Sequence, residues 1–400
     1  MENSRPETPD PELPTARPRR KVLMVNKLRW PWVGGVERVA EQMFAGLPTA
    51  FPIDMTYLHI SPTNRVRDHR LSDHQRVVEV PNFFWSAFRK TLIGRMPWSF
   101  RFFSELQRLA WEHDLIYFHL PFPLATVAWQ FAGVKKPYML TWHSDIRRFP
   151  LVMKFYRPLQ QRFLAGALGI VITSPQMLAY SADLRPWAGK TVVVPLGVPL
   201  HRFAGTSHSA LSLLQDLSIA PGKYFLCVGR LAAYKGYDVL VEALKGRDGE
   251  PVLIVGSGPL EHELKKLSWI HRLEKRIHWL GERSDDEVVS LMQHCRALIM
   301  PSVDEAEAYG IVQVEAMACG KPVISTALKS GVPFVNQHEV SGLIVGPRDA
   351  KALFQAMLRL QEDAALCGRL GEGARARAHT TFSEELMLEK LGKCICGAVG

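Results

Sequence analysis

The stretch Pro301-Ser302-Val-Asp-Glu-Ala-Glu307-Ala-Tyr-Gly310-Ile-Val-Gln-Val-Glu315-Ala-Met-Ala-Cys-Gly320-Lys-Pro322 sits between two short apolar runs, Ala297-Leu-Ile-Met300 and Pro322-Val-Ile-Ser325. Short apolar runs separated by a helix-length segment read as parallel strands joined by a crossover. Gly310 opens the predicted helix, which ends near Gly320. Its first N–H groups, around Gly310, Ile311 and Val312, have no intrahelical acceptor and project with the positive helix end beyond the strands. A phosphate suits that position. Glu307 lies just before the helix, where it can accept from sugar hydroxyls. Glu315 lies about one and a half turns into it, where a carboxylate can accept both hydroxyls of a ribose. Ordinary surface charge is the plain alternative, but the surroundings are small, apolar and punctuated by glycine.

The same rhythm extends in both directions. Toward the C-terminal end, Gly342-Leu-Ile-Val345 is another run, followed by an amphipathic helix over 350–362 and a terminal helix near 383–393. Upstream, Tyr224-Phe-Leu-Cys-Val228, Pro251-Val-Leu-Ile-Val255 and Arg276-Ile-His-Trp-Leu280 belong to the same sheet. Pro195, Gly197 and Pro199 mark a connection, and a second set of runs precedes them: Lys21-Val-Leu-Met-Val-Asn26, Leu115-Ile-Tyr-Phe118, Tyr138-Met-Leu-Thr141, Gly169-Ile-Val-Ile-Thr173 and Thr191-Val-Val-Val-Pro195. Residues 1–20, rich in Pro, Glu and Arg, read as a disordered tail and not as a secretory leader. Residues 21–200 then form an N-terminal domain, rejoined by a C-terminal helix over about 380–400, and residues 201–379 form a second domain. The fold class is α/β, two doubly wound Rossmann-like domains facing a central cleft, with ligands at the carboxyl ends of the strands. Architecture of this kind leaves the chemistry open.

Composition narrows the field. With 47% hydrophobic and 22% charged residues, the chain matches globular averages. No uninterrupted apolar stretch is long enough to span a bilayer. The six cysteines lack paired zinc spacing and read as reduced thiols. Residues 1–200 carry 26 Lys+Arg against 15 Asp+Glu, or +11; residues 201–400 carry 23 against 24, or −1, which together give the net +10. A basic first half points to an anionic partner. No nucleic-acid module is present, so a membrane surface is favoured over nucleic acid.

Two further strand-end loops carry chemistry. In Gly229-Arg230-Leu-Ala-Ala-Tyr-Lys235-Gly236, Arg230 offers a planar fork and Lys235 a compact charge, able to clamp a diphosphate from two sides. In Val255-Gly256-Ser-Gly258-Pro259, the glycines can admit a ligand close to the backbone, or serve packing alone. No GxGxxG opens the chain, which argues against a dinucleotide dehydrogenase. His143, in Thr141-Trp-His143-Ser144-Asp145, ends a predicted strand at the lip of the cleft. The segment 83–111 interleaves aromatics with Arg89, Lys90, Arg95, Arg101 and Arg108, a composition that suits an interfacial surface.

Glu307 and Glu315 with seven residues between them, set among Gly310, Ala316, Gly320 and Pro322, resemble the E-x7-E signature of retaining glycosyltransferase family 4. The Gly229–Gly236 loop, the Gly256–Pro259 turn and Gly34-Gly35-Val-Glu-Arg are in register with that family from Lys21 to about Lys393. The resemblance implies a GT-B fold and metal-independent transfer with retention of anomeric configuration. It implies that Gly34 and Gly35 face the donor diphosphate from one domain and Arg230 and Lys235 from the other. Glu307 and His143 would then contact the donor sugar, and Glu315 the ribose. One departure is Ala308-Tyr309, where the family more often has Gly-Phe.

Thr141–Ile146, Phe118–Leu124 and Ser174–Ser181 further resemble bacterial rhamnosyl- and mannosyltransferases of O-polysaccharide assembly. That likeness implies a GDP-linked sugar donor and a lipid-linked or glycan acceptor. It also implies a cytoplasmic enzyme, peripheral at the inner face of the cytoplasmic membrane. Competing readings are a sugar-nucleotide 2-epimerase, a synthase of the trehalose or sucrose type acting on a soluble acceptor, and a non-catalytic nucleotide-sugar-binding protein.

Overall fold

The computed structural model describes residues 18–29, 34–61, 64–82, 99–146 and 150–398. Most of the expected tail and residues 83–98 of the aromatic, basic segment lie outside these. The first half contributes β1 (Arg20–Val25), β2 (Ile53–Ser61), β3 (Arg67–Ser72), β4 (Gln75–Pro81), β5 (Leu115–Leu120), β6 (Tyr138–Trp142), β7 (Gly169–Ile172) and β8 (Thr191–Val193). They form one sheet in the order β3-β4-β2-β1-β5-β6-β7-β8, parallel except for the antiparallel edge pair β3–β4. The second half contributes β9 (Phe225–Val228), β10 (Val252–Val255), β11 (Ile277–Gly281), β12 (Ala297–Met300), β13 (Val323–Thr326) and β14 (Gly342–Val345). Their order is β11-β10-β9-β12-β13-β14, with parallel pairing throughout.

Helices cover both faces of each sheet, so the inner strands are apolar along their length rather than alternating. All six residues of β5 and all four of β10, β12 and β13 are buried. The continuous runs in the sequence reflect that double coverage.

β2, β3 and β4 were not anticipated from the sequence. β2 mixes Asp54, Thr56 and His59 among its apolar residues, and β3, Arg-Asp-His-Arg-Leu-Ser, is exposed throughout. An edge strand held mainly by its backbone ladder leaves little hydrophobic pattern to read. The Ala364–Thr381 helix was likewise missed; its small residues blunt the apolar period.

The chain passes between the two sheets at 194–199 and again at 382–384. The passages touch: Val198 N–H donates to the Phe382 carbonyl at 2.9 Å and Glu384 N–H to the Val198 carbonyl at 3.0 Å. Beyond the second passage, the Glu384–Gly397 helix buries Met387, Leu391 and Ile395 among Val39, Met43, Phe44 and Leu47 of the Gly35–Ala50 helix. The end of the chain is thus part of the core of the first half.

Candidate active site

The carboxyl ends of the two sheets face a cavity of about 460 Å³ between the halves. That size suits a small ligand. Gly34, Gly35, His143, Lys235, Glu307, Gly310, Ile311, Val312 and Glu315 all line the main cleft. Two helix N-termini meet there. Gly310 caps the Ile311–Ala318 helix with φ 72°, a left-handed conformation that a side chain adopts poorly. Opposite it, the Gly35–Ala50 helix begins so close that a methyl on Gly35 would stand 4.0 Å from Cγ2 of Ile311. Both helix starts turn unpaired N–H groups and positive dipole ends toward one space.

Lys235 and Glu307 are both largely buried and pair at 2.6 Å through Nζ and Oε2. The same Oε2 accepts from Ser302 Oγ at 3.0 Å, so Oε1 keeps its lone pairs for a ligand. Burial on its own would depress the Lys235 ammonium. Glu307, followed by Tyr234, more than offsets this and holds it above its ordinary value. The site thus carries a firmly charged ammonium beside a carboxylate with one open oxygen.

Glu315 is engaged from the opposite domain: Arg38 Nη1 donates to its Oε1 at 2.9 Å. Burial raises the Glu315 carboxyl, against the opposing pull of Arg38. His143 follows β6, its N–H bonded to the Leu120 carbonyl at 2.9 Å. Its Nε2 meets Nδ1 of His119 at 3.0 Å, with the two ring planes only 13° apart. Burial pushes His143 down to about 3, which leaves a neutral imidazole at the cleft.

Three sequence candidates lie outside the cavity wall. Arg230 is exposed, although its neighbours Gly229 and Tyr234 line the cleft. Gly256 and Gly258 pack against the 229–231 loop, where a methyl would come within 2.1 Å of the Gly229 carbonyl oxygen and 2.3 Å of the Leu231 carbonyl oxygen respectively. Their close approach holds the Lys235 loop against the β10 turn. Tyr309 occupies the position where phenylalanine was expected. Its ring is buried and its hydroxyl donates to the Leu196 carbonyl at 3.1 Å, so the additional oxygen ties the motif to the first interdomain passage.

Arg38, His119 and Ser302 escaped functional assignment from sequence. Arg38 stands one turn after Gly34 and so shares its helix face, a spacing that could have flagged it. His119 and His143 come from adjacent strands, and only the β5–β6 register brings them together.

A cleft of this construction between two Rossmann-like sheets defines a GT-B glycosyltransferase. The chain belongs to that class: residues 215–377 match the family model for glycosyl transferases group 1, and residues 34–197 match the glycosyl transferase 4-like domain. Among its relatives is the O-antigen chain mannosyltransferase C of Escherichia coli, 32% identical over 370 residues, covering 92% of this chain and 96% of that one. Another is the D-rhamnosyltransferase WbpZ of Pseudomonas aeruginosa, 35% identical over 281 residues, covering 70% and 73%. The fold is shared with sucrose-phosphate synthase from Thermosynechococcus elongatus, at TM-score 0.76 and 23% identity over 95% of this chain and 99% of that one. It is also shared with Anabaena Alr3699/HepE in complex with UDP, at TM-score 0.72 and 20% identity over 94% and 100%.

Proposed function

We propose that this glycosyltransferase moves a hexose or deoxyhexose of the mannose or rhamnose type from a GDP-linked donor to a lipid-linked or polysaccharide acceptor in cell-surface glycan assembly. The observation that carries the reading is the Lys235–Glu307 pair at the meeting of two helix N-termini, in a chain whose full-length relative is an O-antigen mannosyltransferase. Lys235 and the helix starts at Gly34–Gly35 and Gly310–Val312 supply positive potential for a departing diphosphate. The exposed Arg230 fork can close on that group from the solvent side. Glu307 Oε1 accepts from donor-sugar hydroxyls, and Glu315 exchanges Arg38 for the ribose. The transfer is read as retaining and metal-independent, with diphosphate oxygens taking the acceptor proton.

The acceptor's lipid places the work at a membrane surface, on the inner face of the cytoplasmic membrane. In the Phe100–Glu112 helix, Phe100 and Trp111 are exposed, while Arg108 is paired with Glu105, Glu112 and Asp68. Further support comes from the Pro150–Gly166 helix, which leaves Leu151, Val152 and Phe155 exposed at 78%, 63% and 78% beside exposed Lys154 and Arg162. It begins at the carboxyl edge of the sheet, on the side of the cleft. Apolar side chains flanked by cations suit an anionic bilayer.

The test is nucleotide release from GDP-mannose, GDP-rhamnose and UDP-glucose, with and without a lipid-diphosphate-linked glycan and with chelator present. Acceptor-dependent release of GDP, unaffected by chelator, supports the reading; release from UDP-glucose alone contradicts it. The anomeric configuration of the product, read by NMR, decides retention.

A further inference from the structure

His119 is fully enclosed at the end of β5, 1% exposed, and the cleft does not reach it. The register sets it beside Thr141 of β6, so it shares a sheet face with His143. Its Nδ1 lies 3.0 Å from His143 Nε2, while its Nε2 is buried with no protein partner among the described residues. Thr141, which could have served it, bonds its Oγ1 to the Tyr117 hydroxyl at 2.6 Å. Burial holds both imidazoles below their ordinary range, His119 further disfavoured by its neighbour. Both rings are therefore neutral, and each carries one N–H.

A single proton lies between Nδ1 of His119 and Nε2 of His143, and its owner decides what the cleft sees. If His143 owned it, His119 would carry its own proton on Nε2 and bury a donor with no acceptor. If His119 owns it, the orphan is an unprotonated nitrogen. Buried N–H groups without acceptors are rarer in native structures than under-used acceptors. With Nε2 of His143 accepting from His119, the remaining ring nitrogen, Nδ1, carries the second ring's proton.

We propose that His119 is a positioning residue that fixes His143 as its neutral Nδ1–H tautomer, so that His143 offers the cleft a hydrogen-bond donor and not a base. The 3.0 Å contact together with the orphaned Nε2 carries this assignment. His143 then recognises a ligand oxygen, and proton removal from the acceptor falls to another group. This deepens the donor-site reading above without depending on which sugar is used.

The tautomer is read directly in the full-length protein, labelled with 15N-histidine, by long-range 1H–15N correlation. His143 is assigned by the signals lost in His143→Asn. Expected is a protonated Nδ1 and an unprotonated Nε2 from pH 5.5 to 8. In His119→Leu, which removes the donor, His143 shifts toward the Nε2–H form, and kcat/KM falls about tenfold. In His119→Asn, whose amide nitrogen stands where Nδ1 does, both are retained. An Nε2–H pattern in the wild type overturns the proposal, as does an unchanged tautomer in His119→Leu. The wild-type spectrum decides even if the leucine variant does not fold. Because it needs no substrate, its outcome is separate from that of the donor assignment.

Discussion

Arg38 joins the two halves of the protein through Glu315: its Nη1 donates to Oε1 at 2.9 Å, and its Nη2 meets Asp285 at 3.1 Å. Asp285 also receives Arg202 at 3.0 Å. The Asp285 contacts are exposed and contribute little to stability. The bond to Glu315 matters more, because that carboxylate is buried. Arg38→Ala is therefore expected to lower Tm by a few degrees and to widen the spread of interdomain angles. Thermal unfolding and small-angle scattering check both; an unchanged scattering profile and Tm would remove Arg38 from this role.

Lys235→Ala leaves Glu307 largely buried with Ser302 as its remaining donor. Breaking a buried pair from one side costs about 3 kcal/mol or more. Lys235→Ala/Glu307→Ala together should recover much of that loss while turnover stays abolished. Urea unfolding of the two single variants and the double variant measures the coupling. Additive losses would show that the 2.6 Å contact does not bind the two residues together energetically.

Acid should destabilise the protein through its enclosed histidines. Burial lowers His59 to about 4 and His143 to about 3, whereas an unfolded histidine titrates near 6.5. The unfolded chain thus binds more protons. Stability is fully present above about pH 6.5 and is lost as pH falls toward the folded values, by about 1.4 kcal/mol per pH unit for each group. Urea unfolding at pH 7 and pH 5 checks the sign. His59→Asn, at a residue that does not line the main cleft, should reduce the difference by about 2 kcal/mol; an unchanged difference contradicts the assignment.

Leu151→Glu/Phe155→Glu alters side chains that are already exposed, so the fold should survive. Flotation with vesicles containing anionic phospholipid should then lose most of the bound protein. Turnover on a short water-soluble acceptor should persist. Equal flotation of variant and wild type would mean that this helix does not dock.

Sequence reading located much of the fold because strands covered on both faces are uniformly apolar. The runs from β9 to β14 stood out for that reason, and the Ala350–Glu362 helix for its one apolar face. It failed at β3, whose exposed residues follow no hydrophobic period. At the site, Glu307, Lys235, Gly310 and His143 were legible because strand-end loops carry function in such sheets. Arg38 and His119 were not, since their roles depend on partners 277 and 24 residues away. At Gly256 and Gly258 the sequence leaves two readings open, since a loop glycine reads alike whether it admits a ligand or another piece of backbone.

The central claim is that the cleft binds a GDP-linked sugar through the Lys235 side of the second domain. Calorimetric titration of GDP-mannose and UDP-glucose into wild type and Lys235→Ala, at a temperature where circular dichroism shows both folded, tests it most directly. The account predicts that wild type binds GDP-mannose more tightly than UDP-glucose and that Lys235→Ala weakens GDP-mannose at least about tenfold. Equal affinity in the two proteins, or a preference for UDP-glucose, would contradict it.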